Sequence, residues 1–157
     1  MSPAPPRWLR RRLTAEDLDA IAHAVGEAEA RTSAEIRVHL EPRVPHARPG
    51  RTLGPLDRAR EVFRTLGMHD TRDRNGVLVY VALADRKLAV IGDEGIHARL
   101  GDAYWAQVRD LMVERFGSGA SREALVGAVA MLGAALAEHF PRRPDDVDEL
   151  PNRVSVE

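Results

Sequence analysis

Residues 77–83, VLVYVAL, constrain the fold of this chain more than any other stretch. An apolar run with no polar face predicts a strand buried on both sides, and therefore central in its sheet. Ala84-Asp85-Arg86 is turn-sized, and residues 88–91 form a second apolar run. So short a connection joins antiparallel strands, which predicts a hairpin. The hairpin is followed by Gly92-Asp93-Glu94-Gly95, two carboxylates between glycines.

Residues 35–41, EIRVHLE, alternate instead. Ile36, Val38 and Leu40 point one way, and Glu35, Arg37, His39 and Glu41 the other. Period two predicts a strand with one buried face. Between it and the hairpin lie a Pro- and Gly-rich loop, residues 42–55, and a helix over 56–66 with Leu56, Ala59, Val62, Phe63 and Leu66 on one side. Strand, helix, strand is long enough for a parallel crossover.

Helices complete the pattern. Thr14, followed by Glu16 and Asp17, predicts the start of a helix whose apolar face is Leu18, Ile21, Ala22, Val25 and Ala28. Tyr104, Trp105, Val108, Leu111 and Met112 mark a helix over 102–116, with Tyr104 and Trp105 as core anchors. Gly117-Ser118-Gly119 ends it, and Ser121 opens the last helix, which runs to about Pro141. The order helix-strand-helix-strand-strand-helix-helix predicts an α/β fold, a three-layer α/β/α sandwich around a short mixed sheet. Residues 1–12, Pro- and Arg-rich, read as a mobile N-terminal tail. Residues 13–141 read as one domain, and 142–157 as a polar C-terminal tail.

Composition excludes several chemistries. An apolar share of 44% rules out disorder throughout, and 157 residues fit one core. A net charge of −1 offers no basic field for nucleic acid or an anionic membrane. Without cysteine there is no disulfide, thiolate nucleophile or Cys-ligated metal. No apolar h-region follows the N-terminal basic run, and the apolar run 124–137 is too short to span a bilayer. A cytoplasmic monomer is the expectation. His39 and Glu41 form His-x-Glu, but the Pro-Cys-x-x-Cys partner of a zinc deaminase is missing. There is no His-Glu-x-x-His, P-loop, G-x-G-x-x-G or G-x-S-x-G.

Topology points to one candidate site. If the strands starting at Glu35 and Val77 are parallel, their N-terminal ends meet the C-terminal end of the hairpin's return strand. Glu35, Asp73, Asn75, Asp93 and Glu94 then gather at one sheet edge, with Thr32 and Ser33 beside them. Carboxylate and amide oxygens are what a hard divalent cation prefers. The same residues also suit structural roles: Asp93 as the cap of a short helix near Gly95, Asp73 and Asn75 as turn residues. Both readings stay open at this point. His97, just after the turn, is the histidine to follow.

The motifs together resemble the TPM domain. The resemblance rests on Thr32 with Glu35, Asn75-Gly76-Val77-Leu78, Asp85-Arg86-Lys87, the turn from Gly92 to Gly95, and the helix pair around Phe116 to Gly127. It covers roughly residues 14 to 140 and is closest to the stand-alone bacterial branch. The resemblance implies an α/β/α sandwich and divalent-cation binding, with calcium the usual suggestion, at the loops before the two parallel strands and after the hairpin. Two functions follow as expectations. One is a non-catalytic, cation-dependent interaction module that docks an unidentified protein partner. The other is a weak metal-dependent acid phosphatase, its metal on Asp93, Glu94 and Asp73 and its developing charge met by Arg72 or Arg74.

Overall fold

The structure, a computed structural model, describes residues 4–48, 51–52, 54–71, 74–144, 152 and 154–157. In chain order its elements are α1 (Ala15–Glu29), β1 (Glu35–Glu41), β2 (His46–Arg48), β3 (Arg51–Thr52), α2 (Pro55–Thr65), β4 (Gly76–Ala82), β5 (Lys87–Gly92), α3 (Glu94–Leu100), α4 (Asp102–Gly117), α5 (Ser121–His139) and β6 (Ser155–Val156). The expected hairpin is β4–β5, with Val77 opposite Gly92 and Ala82 opposite Lys87. The expected crossover is parallel, running from Glu35 opposite Gly76 to Glu41 opposite Ala82. The sheet order is β5-β4-β1-β6, so the apolar run is an inner strand.

Each helix forms where its sequence allows. Thr14 caps α1 in a reciprocal box: its hydroxyl accepts from the Asp17 N–H at 3.1 Å, and its own N–H donates to the Asp17 carboxylate at 2.8 Å. Pro55 sits in the first turn of α2, where its missing N–H costs no helical bond. Helices α1, α4 and α5 cover one face of the sheet, burying Ile36, Val38, Leu40, Val77, Val79 and Val81. Helix α2 covers the other, packing Ala59, Val62 and Phe63 on Leu78, Tyr80, Ala82 and Ala89. This is the three-layer sandwich.

Three features differ from the sequence expectations. β1 is buried along its whole length, polar residues included: the face that alternation assigned to water is closed by paired polar groups, with Arg58 of α2 reaching Glu41 and Ser155 of β6 meeting His39. The segment expected as a mobile N-terminal tail sends Leu9 into the main core with no exposure. Turns hold it there, Leu9 N–H bonding Pro6 and Leu13 N–H bonding Leu9. The segment expected as a polar C-terminal tail ends in β6, which extends the sheet by pairing parallel to β1 at His39 and Leu40. The 42–55 loop carries the antiparallel pair β2–β3.

Leu9→Ala tests the first of these differences. Loss of a fully buried leucine is expected to cost about 2–5 kcal/mol in urea unfolding. A change within about 0.5 kcal/mol, as for a surface site, would show that Leu9 does not belong to the core.

Candidate functional site

The sheet register brings the sequence-predicted edge together at the main chain. The Glu35 N–H donates to the Asn75 carbonyl at 3.1 Å, and the Asp93 N–H to the Gly76 carbonyl at 2.8 Å. Glu35, Asn75 and Asp93 thus share one end of the sheet, with Glu94 exposed beside them. Asp73 and Arg72 lie outside the described residues. Arg74 turns the chain at positive φ and donates to the His69 carbonyl at 3.0 Å.

Several polar groups at this end already have structural work. The buried Asn75 amide donates to the Ser33 carbonyl at 2.6 Å. The Thr32 hydroxyl bonds carbonyls at the end of α5, 3.0 Å from that of Leu136. Glu29, also buried, accepts from the Ile36 N–H at 2.8 Å. Asp93 caps α3 through Oδ1, which accepts from the Glu94 N–H at 2.8 Å. Its other oxygen, Oδ2, is buried and has no hydrogen-bond partner among the described residues. Capping therefore accounts for half of this carboxylate. A buried acceptor left unsatisfied is costly unless a group beyond the described residues satisfies it.

The opposite end of β1 holds a second polar cluster. Among the described residues, the His, Asp and Glu side chains that converge as a possible metal trio are His39, Glu41 and Glu157. Each offers one ligand atom, all within 4.8 Å of one another. A cation already lies between the carboxylates, however. Arg58 Nη2 is 2.8 Å from Glu41 Oε1 and 2.7 Å from Glu157 Oε2, while Arg58 Nε reaches Glu41 Oε2 at 2.9 Å. Tyr80 donates its hydroxyl to the same Glu41 oxygen. A metal ion held by this trio would have to displace the guanidinium.

The electrostatics agree. Burial alone would raise the Glu41 pKa, but the Arg58 fork and then the Tyr80 hydroxyl outweigh it and hold the carboxyl below its ordinary range. The more exposed Glu157 is shifted up, by burial and then by Glu41. Burial holds the His39 imidazole below its ordinary value, with Glu41 opposing and Arg58 and Arg37 assisting. His39 Nδ1 meets the Ser155 hydroxyl at 2.8 Å, which ties β6 to β1. The cluster reads as a charge network that closes this end of the sheet.

Sequence reasoning missed this network because Ser155 and Glu157 fall in the segment expected as a tail, and Arg58 in the middle of a helix. One signal was available: a parallel inner strand is covered on both faces. The charged residues of EIRVHLE therefore had to be buried and paired.

Between the two ends, a cleft of about 900 Å³ runs along β5, with α2 on one side and α3 and α4 on the other. Asp93, Glu94 and His97 line it, as do Arg60, Arg64 and Arg109. His97 Nδ1 accepts from the Trp105 indole N–H at 3.1 Å, so its ring is used to position Trp105. Gly92 is required here: a Cβ would stand 2.8 Å from Trp105 Cζ2 and 2.9 Å from Ile96 Cγ2.

Removing Arg58 measures how far Glu41 depends on it. Arg58→Met strands a buried carboxylate and is expected to destabilise by about 3–5 kcal/mol, with Glu41→Gln in the same chain recovering most of the loss. Additive losses in the urea-unfolding cycle would contradict the pairing.

With the geometry in view, the chain can be set beside known proteins. Its overall structure matches that of the BA42 protein from the psychrophilic bacterium Bizionia argentinensis at a TM-score of 0.82 and 41% identity, over 92% of this chain and 95% of that one. It also matches the N-terminal domain of the cg2496 protein from Corynebacterium glutamicum at a TM-score of 0.62 and 12% identity, over 87% and 86% of the two chains, a likeness of fold alone. No curated protein matches it. The family model described as TPM domain covers residues 10–135, from before α1 through the hairpin turn and most of the last helix; the chain belongs to the TPM domain family.

Proposed function

We propose that this protein is a non-catalytic, divalent-cation-binding interaction module whose cation is calcium, held at the sheet end formed by Glu35, Asn75, Asp93 and Glu94, with Asp73 as a further ligand. The observation that carries the reading is the buried Oδ2 of Asp93, which has no hydrogen-bond partner among the described residues. It is a carboxylate oxygen, and the residues that share this sheet end, Glu35, Asn75 and Glu94, carry carboxylate and amide oxygens, the donors calcium takes, although their carboxylates do not converge as a trio among the described residues. A bound cation would satisfy the orphaned oxygen and tie the hairpin turn to the start of β1. No described helix is long and apolar enough to cross a membrane.

One observation favours a second reading. Arg60, Arg64 and Arg109 line the cleft that also holds Asp93 and Glu94. Guanidiniums beside a metal suit a phosphoryl group, so a metal-dependent phosphoester hydrolase is the alternative. The interaction module is preferred because no described side chain in the cleft stands as a nucleophile activated by a neighbouring base.

Thermal unfolding in EDTA, calcium, magnesium, manganese and zinc, on wild type and Asp93→Asn, tests the reading. Asparagine is as good a cap as aspartate, so the variant removes the charge and keeps the helix. A calcium concentration near one hundred times Kd is expected to add about 2.7 kcal/mol to the wild type and far less to the variant. No midpoint shift with any cation would sink the reading. Metal-dependent turnover of p-nitrophenyl phosphate, lost in Asp93→Asn, would move the conclusion to the hydrolase.

A further inference from the structure

β5 is the outermost strand at its side of the sheet, and among the described residues it pairs only with β4. The ladder shows which of its main-chain groups are free. The Asp93 N–H, opposite Gly76, points to β4. In an antiparallel ladder alternate residues face alternate sides. Leu88, Val90 and Gly92 therefore turn their N–H and C=O groups away from β4, into the cleft of about 900 Å³. An edge of this kind pairs readily with another strand. Lys87 at the start of β5 is a common deterrent, but no described strand pairs with the outer side of the stretch that follows.

The surroundings decide which strand fits. Helices on both faces of the sheet line the cleft with β5, so the strand edge is its floor and α2 and α4 are its walls. A second copy would bring its own flanking helices against these walls, whereas a single extended segment fits between them. Leu56, exposed on the α2 wall, and Trp105 on the α4 wall offer apolar contacts for alternate side chains. The cleft is also polarised. Asp93, Glu94 and Asp102 stand at the Gly92 end, where Trp105 packs on Gly92. Arg109 lies one helical turn beyond Trp105, towards Leu88, and Arg60 and Arg64 line the cleft from α2; Arg60 and Arg109 are exposed and only loosely paired, 3.7 Å from Asp57 and Asp110 respectively.

We propose that the free edge of β5, between α2 and α4, is a docking site for an extended peptide segment of a partner protein, added as a further strand, with apolar side chains in alternation and carboxylates over the Leu88 half beside Arg60 and Arg109. Main-chain hydrogen bonds to Leu88, Val90 and Gly92 supply affinity, and the walls supply selectivity. The proposal gives the interaction-module reading its partner chemistry and does not depend on the cation.

The test uses a library of short unconstrained peptides displayed on phage, selected against the full chain in EDTA and in calcium. Enriched sequences are then synthesised, and their binding is read by fluorescence anisotropy. Val90→Pro deletes an N–H that faces the cleft while sparing the β4 ladder, and edge strands tolerate proline so placed. The expected result is a family of alternating apolar and acidic peptides that bind wild type and Val90→Ala alike and bind Val90→Pro at least about tenfold more weakly. The double variant Arg60→Glu, Arg109→Glu provides a second measure should the proline variant not fold, and it is expected to lose the acidic preference. Failure to enrich any such family, equal binding to Val90→Pro, or an acidic preference unchanged in the arginine variant would overturn the proposal. If calcium still raises the midpoint of unfolding in that case, the cation reading stands without it.

Discussion

Glu41 is a buried carboxylate at the end of an inner strand, and Arg58 makes that position tolerable. A lone ionised group there would be expelled or neutralised. The guanidinium fork answers it with two hydrogen bonds, and Tyr80 adds a third. Several features depend on this contact. It ties α2 to β1, while the apolar face of α2 packs on β4 and β5 and forms one wall of the cleft along β5. Arg58 reaches Glu157 as well, which helps keep β6 beside β1.

The two ends of the sheet therefore differ in kind. At the end of β1, carboxylates converge closely enough to hold a metal, yet the protein supplies the positive charge from its own chain. At its beginning, the side chains are more spread, and Asp93 keeps one buried oxygen without a partner among the described residues. Close approach of carboxylates is thus a poor guide by itself. What separates a candidate ligand site from a closed charge network is whether the chain has already satisfied its acceptors. Counted on carboxylate oxygens, the hairpin end invites a ligand through Asp93 Oδ2, whereas both Glu41 oxygens are met by Arg58 and the atom left without a hydrogen bond there is His39 Nε2, 3.7 Å from Glu41 Oε1.

Much of this was legible in the sequence. VLVYVAL, the short turn after it and the helical stripes each declare themselves locally, within a single period of burial, so the elements and the parallel crossover follow from neighbours in the chain. The gathering of Glu35, Asn75 and Asp93 followed from strand direction alone. Other parts had no local signal. Leu9 lies in a Pro- and Arg-rich stretch with no helical or strand periodicity, yet it is buried in the main core. β6 is two residues long, too short to show alternation. The Glu41 network joins residues from β1, α2, β4 and the final segment, and only the sandwich brings them together. The polar residues of β1 were misassigned to water because alternation tells which residues share a face, not whether that face is covered.

The central claim is that the ligand-accepting end of the sheet is the hairpin end, and amide NMR can locate it directly. Calcium, and separately zinc, would be titrated into the isotopically labelled chain while main-chain amides are followed. The account predicts saturable calcium shifts centred on Asn75, Gly76, Asp93 and Glu94, with His39, Glu41 and Ser155 unmoved. Shifts centred on His39, Glu41 and Glu157 for either ion would contradict it, because they would mean that the metal displaces Arg58 from its carboxylates.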